Sequence, residues 1–309
     1  MFFFENYTII NLLSALALSF GLLVVNEATR RSKLLSIIMY IIVPIAFTVF
    51  VWPKTGEAST VSGNWFAWIK TYSALAGVVG FMALRYLPKI QKNKFMLFFP
   101  ALILAVNILE AVLRDFQCYS LSGELVNGLY LQGGIWNILN GIAGILSIIT
   151  ITGWVGIRIS KNKYNDMVWP DMQWFYVVAY CIWNISYVYN CIPNRAFYAG
   201  VILLTLSIIS GLFTSKGVWL QHRAQILALF AMFSLTFPAY STTEFFSITS
   251  TLQTTPMLVL SVLSLLSNAL VLFYQIYRMV KTKRNPLKEE LYKGLKHHSD
   301  ILASNGLDN

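Results

Sequence analysis

Long apolar runs alternate with short polar connections along nearly the whole chain. A helix needs about 20 predominantly apolar residues to cross a bilayer. Nine stretches meet or approach that length: Thr8–Val25, Leu34–Trp52, Trp65–Tyr86, Phe95–Leu113, Gly134–Ile157, Met172–Asn190, Ala196–Phe213, Ala224–Tyr240 and Pro256–Tyr277. The sixth to eighth are short and closely connected, so eight spans is the alternative count. The pattern predicts an all-α fold: a polytopic membrane helix bundle over residues 1–280, then a basic amphipathic tail over 281–309.

Composition narrows the class. The chain is 57% hydrophobic and 12% charged, against about 25% charged residues in a soluble domain. The net charge is +10, but the basic residues are scattered between apolar runs instead of forming a patch. That distribution argues for a lipid bilayer as partner and against nucleic acid. The opening MFFFENYT lacks a basic leader and reads as a lead into the first span.

Charge also orients the spans. Nineteen of the 23 Lys and Arg residues fall after odd-numbered spans, in clusters such as Arg30, Arg31 and Lys33, or in the tail. Only Lys54, Arg114 and Arg195 lie in the opposite connections, and Lys70 lies within a span. The positive-inside rule then places the N-terminus out and the C-terminus in, across the cell membrane. Trp52, Trp65, Trp68, Trp136, Trp154, Trp169, Trp174 and Tyr240 fall near span ends, where an interfacial belt is expected. In the third span, Ser73 with Gly77 and Ala76 with Gly80 read as a close-packing face.

Against this apolar ground, one polar group stands out. Asn107, Glu110 and Arg114 recur at helical spacing in the fourth span, so they share a face. An ionisable group inside a span is a functional-site hypothesis by default. Lys70 enters from the same side to a depth of about 8 Å at 1.5 Å per residue, which puts a Lys70–Glu110 pair within reach. Trp136, Asn137 and Asn140 open the fifth span at that level, and Trp183, Asn184 and Tyr187 lie near the end of the sixth. Together they predict an outward-facing pocket for a small polar molecule, with amides as hydrogen-bond partners and the indoles as a stacking wall. The bland alternative is that the asparagines and tyrosines only join helices. The Trp-Asn-Ile echo at 136–138 and 183–185 is too short to establish a repeat.

Other chemistry is thinly represented. Cys118 and Cys191 fall on the outer side, as a disulfide or as two separate thiols; Cys181 reads as a buried thiol. No CxxC, paired intramembrane histidines, Walker sequence or nucleophile elbow occurs, so no metal and no cofactor is implied. In the tail, Asn285-Pro286 reads as a helix start. Leu287, Leu291 and Leu295 would give one apolar face, with Lys288, Lys293 and Lys296 between them, suited to the anionic inner leaflet or to a soluble partner. The final NGLDN reads as disordered.

The runs NEATRRSK (26–33), FVWPKT (50–55), WIKTYSALAG (68–77), NILEAVLRDFQCY (107–119), WNILNGIAGI (136–145), MVWPDMQW (167–174) and QHRAQ (221–225) resemble an uncharacterised family of bacterial multi-pass membrane proteins, a domain-of-unknown-function family. The likeness reaches KRNPLKEE (283–290). It implies a bacterial cytoplasmic membrane and carries over no activity or ligand. The fifth span and the Trp/Asn pairs are also similar, as an analogy only, to vitamin-precursor transporters of the nicotinamide-riboside type. The leading expectation is a transporter or binder of a small polar molecule. The alternatives are a membrane enzyme acting on a lipid or headgroup through Glu110 and Asp115, and a sensor or assembly subunit acting through its tail.

Overall fold

Side-chain caps set where the first helices begin. Thr8 accepts a hydrogen bond from the Asn11 amide and starts α1 (Ile9–Arg31). Ser32 ends it and caps α2 (Lys33–Phe50) through the Leu35 amide, so one residue serves both helices. A short helix, Trp52–Glu57, follows. In this computed structural model, residues 2–57, 65–126 and 129–307 are described. The chain continues as α3 (Trp65–Tyr86), α4 (Lys94–Cys118), α5 (Ile135–Ile149), α6 (Trp174–Cys191), α7 (Phe197–Thr214), α8 (Trp219–Thr236) and α9 (Thr254–Thr282), and closes with the short α10 (Lys296–Ser304). The expected all-α bundle is present. Six of these helices (α1, α2, α3, α4, α7 and α9) are long and apolar enough to cross a membrane, which makes this a multi-pass membrane protein.

The strands are short antiparallel pairs: β1 (Phe4–Glu5) with β6 (Thr249–Ser250), β2 (Ser122–Val126) with β3 (Leu129–Gln132), and β4 (Arg158–Ile159) with β5 (Met167–Val168).

The six apolar helices bury fewer than half the residues of their apolar windows, whereas α6 and α8 are buried along most of their length. Helices shielded by protein can carry polar side chains that lipid would not accept. That is why α6 holds Asn184, Tyr187 and Asn190, and α8 holds Gln221, His222 and Arg223. One apolar core joins α4, α5 and α6; a second joins α1, α2, α3, α7 and α8. Alpha-3 lies close on α4 because Gly80 has no side chain: a Cβ there would enter the Phe99 ring.

Several elements depart from the apolar pattern. The fifth apolar stretch, expected to run to Ile157, is helical only to Ile149. Thr150 turns its hydroxyl onto the Leu146 carbonyl, and Gly153 adopts a positive φ of 62°. Residues 150–173 then fold back as a mostly buried loop. The eighth helix starts five residues early, at Trp219, and draws Gln221, His222 and Arg223 into the protein. The tryptophans also depart from the belt: Trp52 and Trp169 are fully enclosed and Trp136 nearly so, while Trp174 is exposed. The Trp65 side chain lies outside the described residues.

The loop at 150–173 is anchored by two aspartates. Arg30 grips Asp166 with two hydrogen bonds of 3.0 and 2.8 Å, and Gln221 adds one of 3.1 Å. Burial pushes the Asp166 carboxyl up, but the Arg30 hydrogen bonds and charge outweigh it and hold the group below its ordinary value of 3.8. Arg30 and Arg85, counted among the basic residues of the inner connections, are therefore buried partners of this loop.

Asp171 receives the Leu291 and Tyr292 amides at 3.0 and 2.7 Å, and burial pushes its carboxyl up. Those contacts correct the tail. The segment from Pro286 to Leu295 is a series of turns, not the expected helix, because Asp171 takes two of its amides and Gly294 sits at a φ of 93°. Leu291 is enclosed, and Ile301 packs on Val168 and Val218. Asn305, expected in a disordered end, is buried and donates to the Lys216 carbonyl; Asp308 and Asn309 lie outside the described residues.

Candidate functional site

A cavity of about 180 Å³ runs between α3, α4, α6 and α8. Along α4 it extends from Ile103 to Arg114, about 16 Å at helical rise. Its walls come from small and apolar residues such as Ala74, Gly77, Leu104, Leu227 and Phe230. Lys70, Asn107, Arg114, Asn184, Tyr187, Cys191, Arg195 and Arg223 interrupt them.

Lys70 projects from α3 toward α4. Its Nζ donates to Asn107 Oδ1 at 2.9 Å and to Glu110 Oε2 at 3.1 Å. Asn107 is held for this role, because its amide nitrogen donates back to the Ile103 carbonyl at 2.9 Å. The Lys70 and Glu110 side chains are 22% and 21% exposed, so protein encloses most of the pair. On the facing wall, Arg223 Nη2 makes a long contact of 3.5 Å with Asn184 Oδ1. Tyr187 stacks on Trp183 with ring centroids 6.3 Å apart. Its hydroxyl is buried without a hydrogen-bond partner among the described residues.

Of the residues expected to form the pocket, Lys70, Asn107, Arg114, Asn184 and Tyr187 line this cavity, and Glu110 joins it through Lys70. Trp136, Asn137, Asn140 and Trp183 do not line it. Trp136 packs in a separate cluster with Phe4, Tyr189 and Met257. Trp183 is fully enclosed, donates to the Asn140 carbonyl at 3.2 Å, and leaves no room for a Cβ at Gly144.

Asn137 and Asn140 instead enclose Asp115. They donate to its two oxygens at 3.1 and 2.7 Å, and the Cys191 thiol adds a contact of 3.4 Å. Ser264 of α9 completes the set by donating to Asn140 Oδ1 at 2.7 Å. Asp115 is fully buried and ties α4 to α5 and α6. Cys118 and Cys191 are free buried thiols, one beside the other. Among the described residues, no group of three or more His, Cys, Asp or Glu side chains is placed to hold a metal.

The fold and this internal cavity define a polytopic helical membrane protein with a charged interior site. Residues 5–304 match a family of unknown function, DUF5692, and the chain belongs to that family. No curated protein and no solved structure is matched.

Arg223 is, with Arg195, a charged cavity residue that sequence reasoning missed. Standing beside His222 at the foot of an apolar run, it reads as one more basic residue of an inner connection. The available signal was the helical spacing of Trp219, Arg223, Ile226 and Phe230.

Proposed function

We propose that this protein binds a small polar solute in the cavity and carries it across the membrane. The supporting observation is a cavity inside a membrane bundle whose walls hold Lys70, paired with Glu110 beside it, and, opposite, Arg223 and Tyr187. Buried charge is retained in such a place at a cost of several kcal/mol, roughly, unless function or exact pairing offsets it. The making and breaking of the Lys70–Glu110 pair would accompany solute or proton entry. The lipid-enzyme reading has less support, because Asp115 is occupied by amides and does not line the cavity.

In this reading all nine long helical segments span the cell membrane, with the N-terminus outside. The short or polar α5, α6 and α8 do so inside the ring of apolar helices. The cavity opens on the outer side, near Arg114 and Cys191. The tail domain sits at the inner face, where Lys281, Lys283, Lys288 and Lys293 meet anionic headgroups.

Cysteine accessibility tests this. In a chain with Cys118, Cys181 and Cys191 replaced by serine, Ala231→Cys places a thiol on the cavity wall. Leu270→Cys places one on an outward face of α9 that is 68% exposed. An impermeant thiosulfonate added to intact cells should label the first and spare the second. Equal inertness of both would remove the open cavity.

A further inference from the structure

We infer that the solute is a small organic carboxylate anchored by the Arg223 guanidinium. This rests on the reading of the cavity as a solute site and adds the chemical class of what enters it.

Arg223 is 6% exposed. Its Nε and Nη1 have no hydrogen-bond partner among the described residues. Its Nη2 makes the long Asn184 contact, and the Tyr180 hydroxyl is a further neighbour of the guanidinium. Among the described residues no carboxylate lies within ion-pair distance of it. Buried guanidinium groups are ordinarily satisfied on every edge and matched by a negative charge. Nε and Nη1 lie on different edges of the group, each sharing its edge with one N–H of Nη2. The Asn184 contact takes only one of those two hydrogens. One edge of this cavity-lining side chain therefore keeps two parallel N–H donors, and the missing partner is an acceptor of both. A carboxylate has that geometry. The buried Tyr187 hydroxyl lines the same cavity and supplies a further donor.

The surroundings favour an anion. Lys70 and Arg114 line the cavity, and among the described residues no Asp or Glu does. Glu110 is already engaged by Lys70, and Asp115, which lies behind Cys191, by Asn137 and Asn140. The walls select among anions. Phe81, Leu104, Leu220, Leu227 and Phe230 are apolar, and stripping water from a multiply charged group against such walls costs far more than from a monoanion. The volume of about 180 Å³ is close to the roughly 150 Å³ of an apolar cavity that accepts benzene. The body attached to the carboxylate is therefore about one ring in size, which describes a water-soluble acid and not a long-chain fatty acid.

Benzoate and benzamide differ in charge and hardly in shape, so they make the test. With the purified full-length protein in detergent, benzoate should bind at least tenfold more tightly than benzamide by calorimetry. Arg223→Gln should weaken benzoate at least tenfold and leave benzamide within twofold; Arg223→Lys should fall between. Should the glutamine variant fail to fold, the benzoate–benzamide ratio on wild type and on Arg223→Lys decides alone. Equal affinity for the two probes, or undiminished benzoate binding to Arg223→Gln, overturns the carboxylate assignment and leaves the solute cavity standing. Inorganic phosphate or hexadecanoate binding more tightly than benzoate also overturns it. Binding of neither benzoate nor benzamide overturns the assignment and the cavity reading together.

Discussion

Replacing Asp115 by alanine separates structural from transport roles for the two carboxylates of α4. Asp115 is fully buried and accepts from Asn137, Asn140 and Cys191. The alanine variant strands two amide donors, although Asn137 keeps a weak contact of 3.7 Å with Cys191 Sγ. At about 1–3 kcal/mol per orphaned donor, the loss is about 2–6 kcal/mol. A kilocalorie moves the melting temperature of a chain of this size by about 2–4 °C, so a drop of roughly 5–15 °C is expected. Asp115→Asn keeps the shape but sets one amide against another, at about 1–3 kcal/mol. Glu110→Ala should cost only about 1 kcal/mol, because its partner is partly exposed and Asn107 continues to hold Lys70. Thermal unfolding followed by size-exclusion chromatography of the detergent-solubilised protein reads all three. An Asp115→Ala shift below about 2 °C, or smaller than that of Glu110→Ala, would show that the amide cage does not hold α4, α5 and α6 together.

Glu110→Gln should reach the membrane folded yet lose solute uptake; normal uptake would remove the charge pair from the mechanism. A double-mutant cycle on Lys70→Met and Glu110→Gln should give a coupling of about 1–2 kcal/mol, between exposed and fully buried pairs; zero coupling would disconnect the two. Asp166 and Glu290 are held below their ordinary values of 3.8 and 4.5, the first against burial by Arg30, the second against burial by His298 and Arg158. A depressed carboxyl stabilises the fold when ionised, and that contribution is lost as pH falls through the folded value. Stability from these groups should hold from pH 7 to 5 and decline below about pH 4; in Asp166→Asn the decline should be shallower, and an unchanged acid limb would refute the assignment. Truncation after Arg284 should lower thermal stability in detergent, where no leaflet is present, because it uncovers Asp171 and Val168; an unshifted melting temperature would show the tail to be only a membrane contact.

The apolar pattern made the helices legible, because a lipid-facing helix must show its character in every turn. Alpha-3 begins and ends at the residues expected from hydropathy, and α2, α6 and α7 do so within two. What the pattern hides is the side chain shielded by other helices. Arg30 and Arg85 have the spacing of headgroup contacts, yet they bind Asp166, and nothing local distinguishes a guanidinium facing phosphate from one facing a carboxylate 136 residues away. The signal was the acids: Asp166 and Asp171 lie in an otherwise basic-side connection. Asn137 and Asn140 were legible as a polar face of α5 but not as the cage of Asp115. The spacing places them on one side of their helix without saying which neighbour that side meets.

The two sides of the cavity are built differently, and the difference bears on how a solute is received. Around Asp115, on α4 and α5, the buried polar groups close on one another: Asp115 with Asn137, Asn140 and Cys191, and Asn140 with Ser264. On α8 they do not. Arg223 Nε and Nη1, both ends of the Gln225 amide and His222 Nε2 are buried without hydrogen-bond partners among the described residues. Each such group costs about 1–3 kcal/mol when left unsatisfied. A closed network fixes one geometry; an open one leaves binding free energy to whatever completes it. Solute engaging Arg223 would therefore act on α8, while the cage opposite keeps its wall in place. The part of the molecule that a ligand stabilises most should be the Trp219–Thr236 helix.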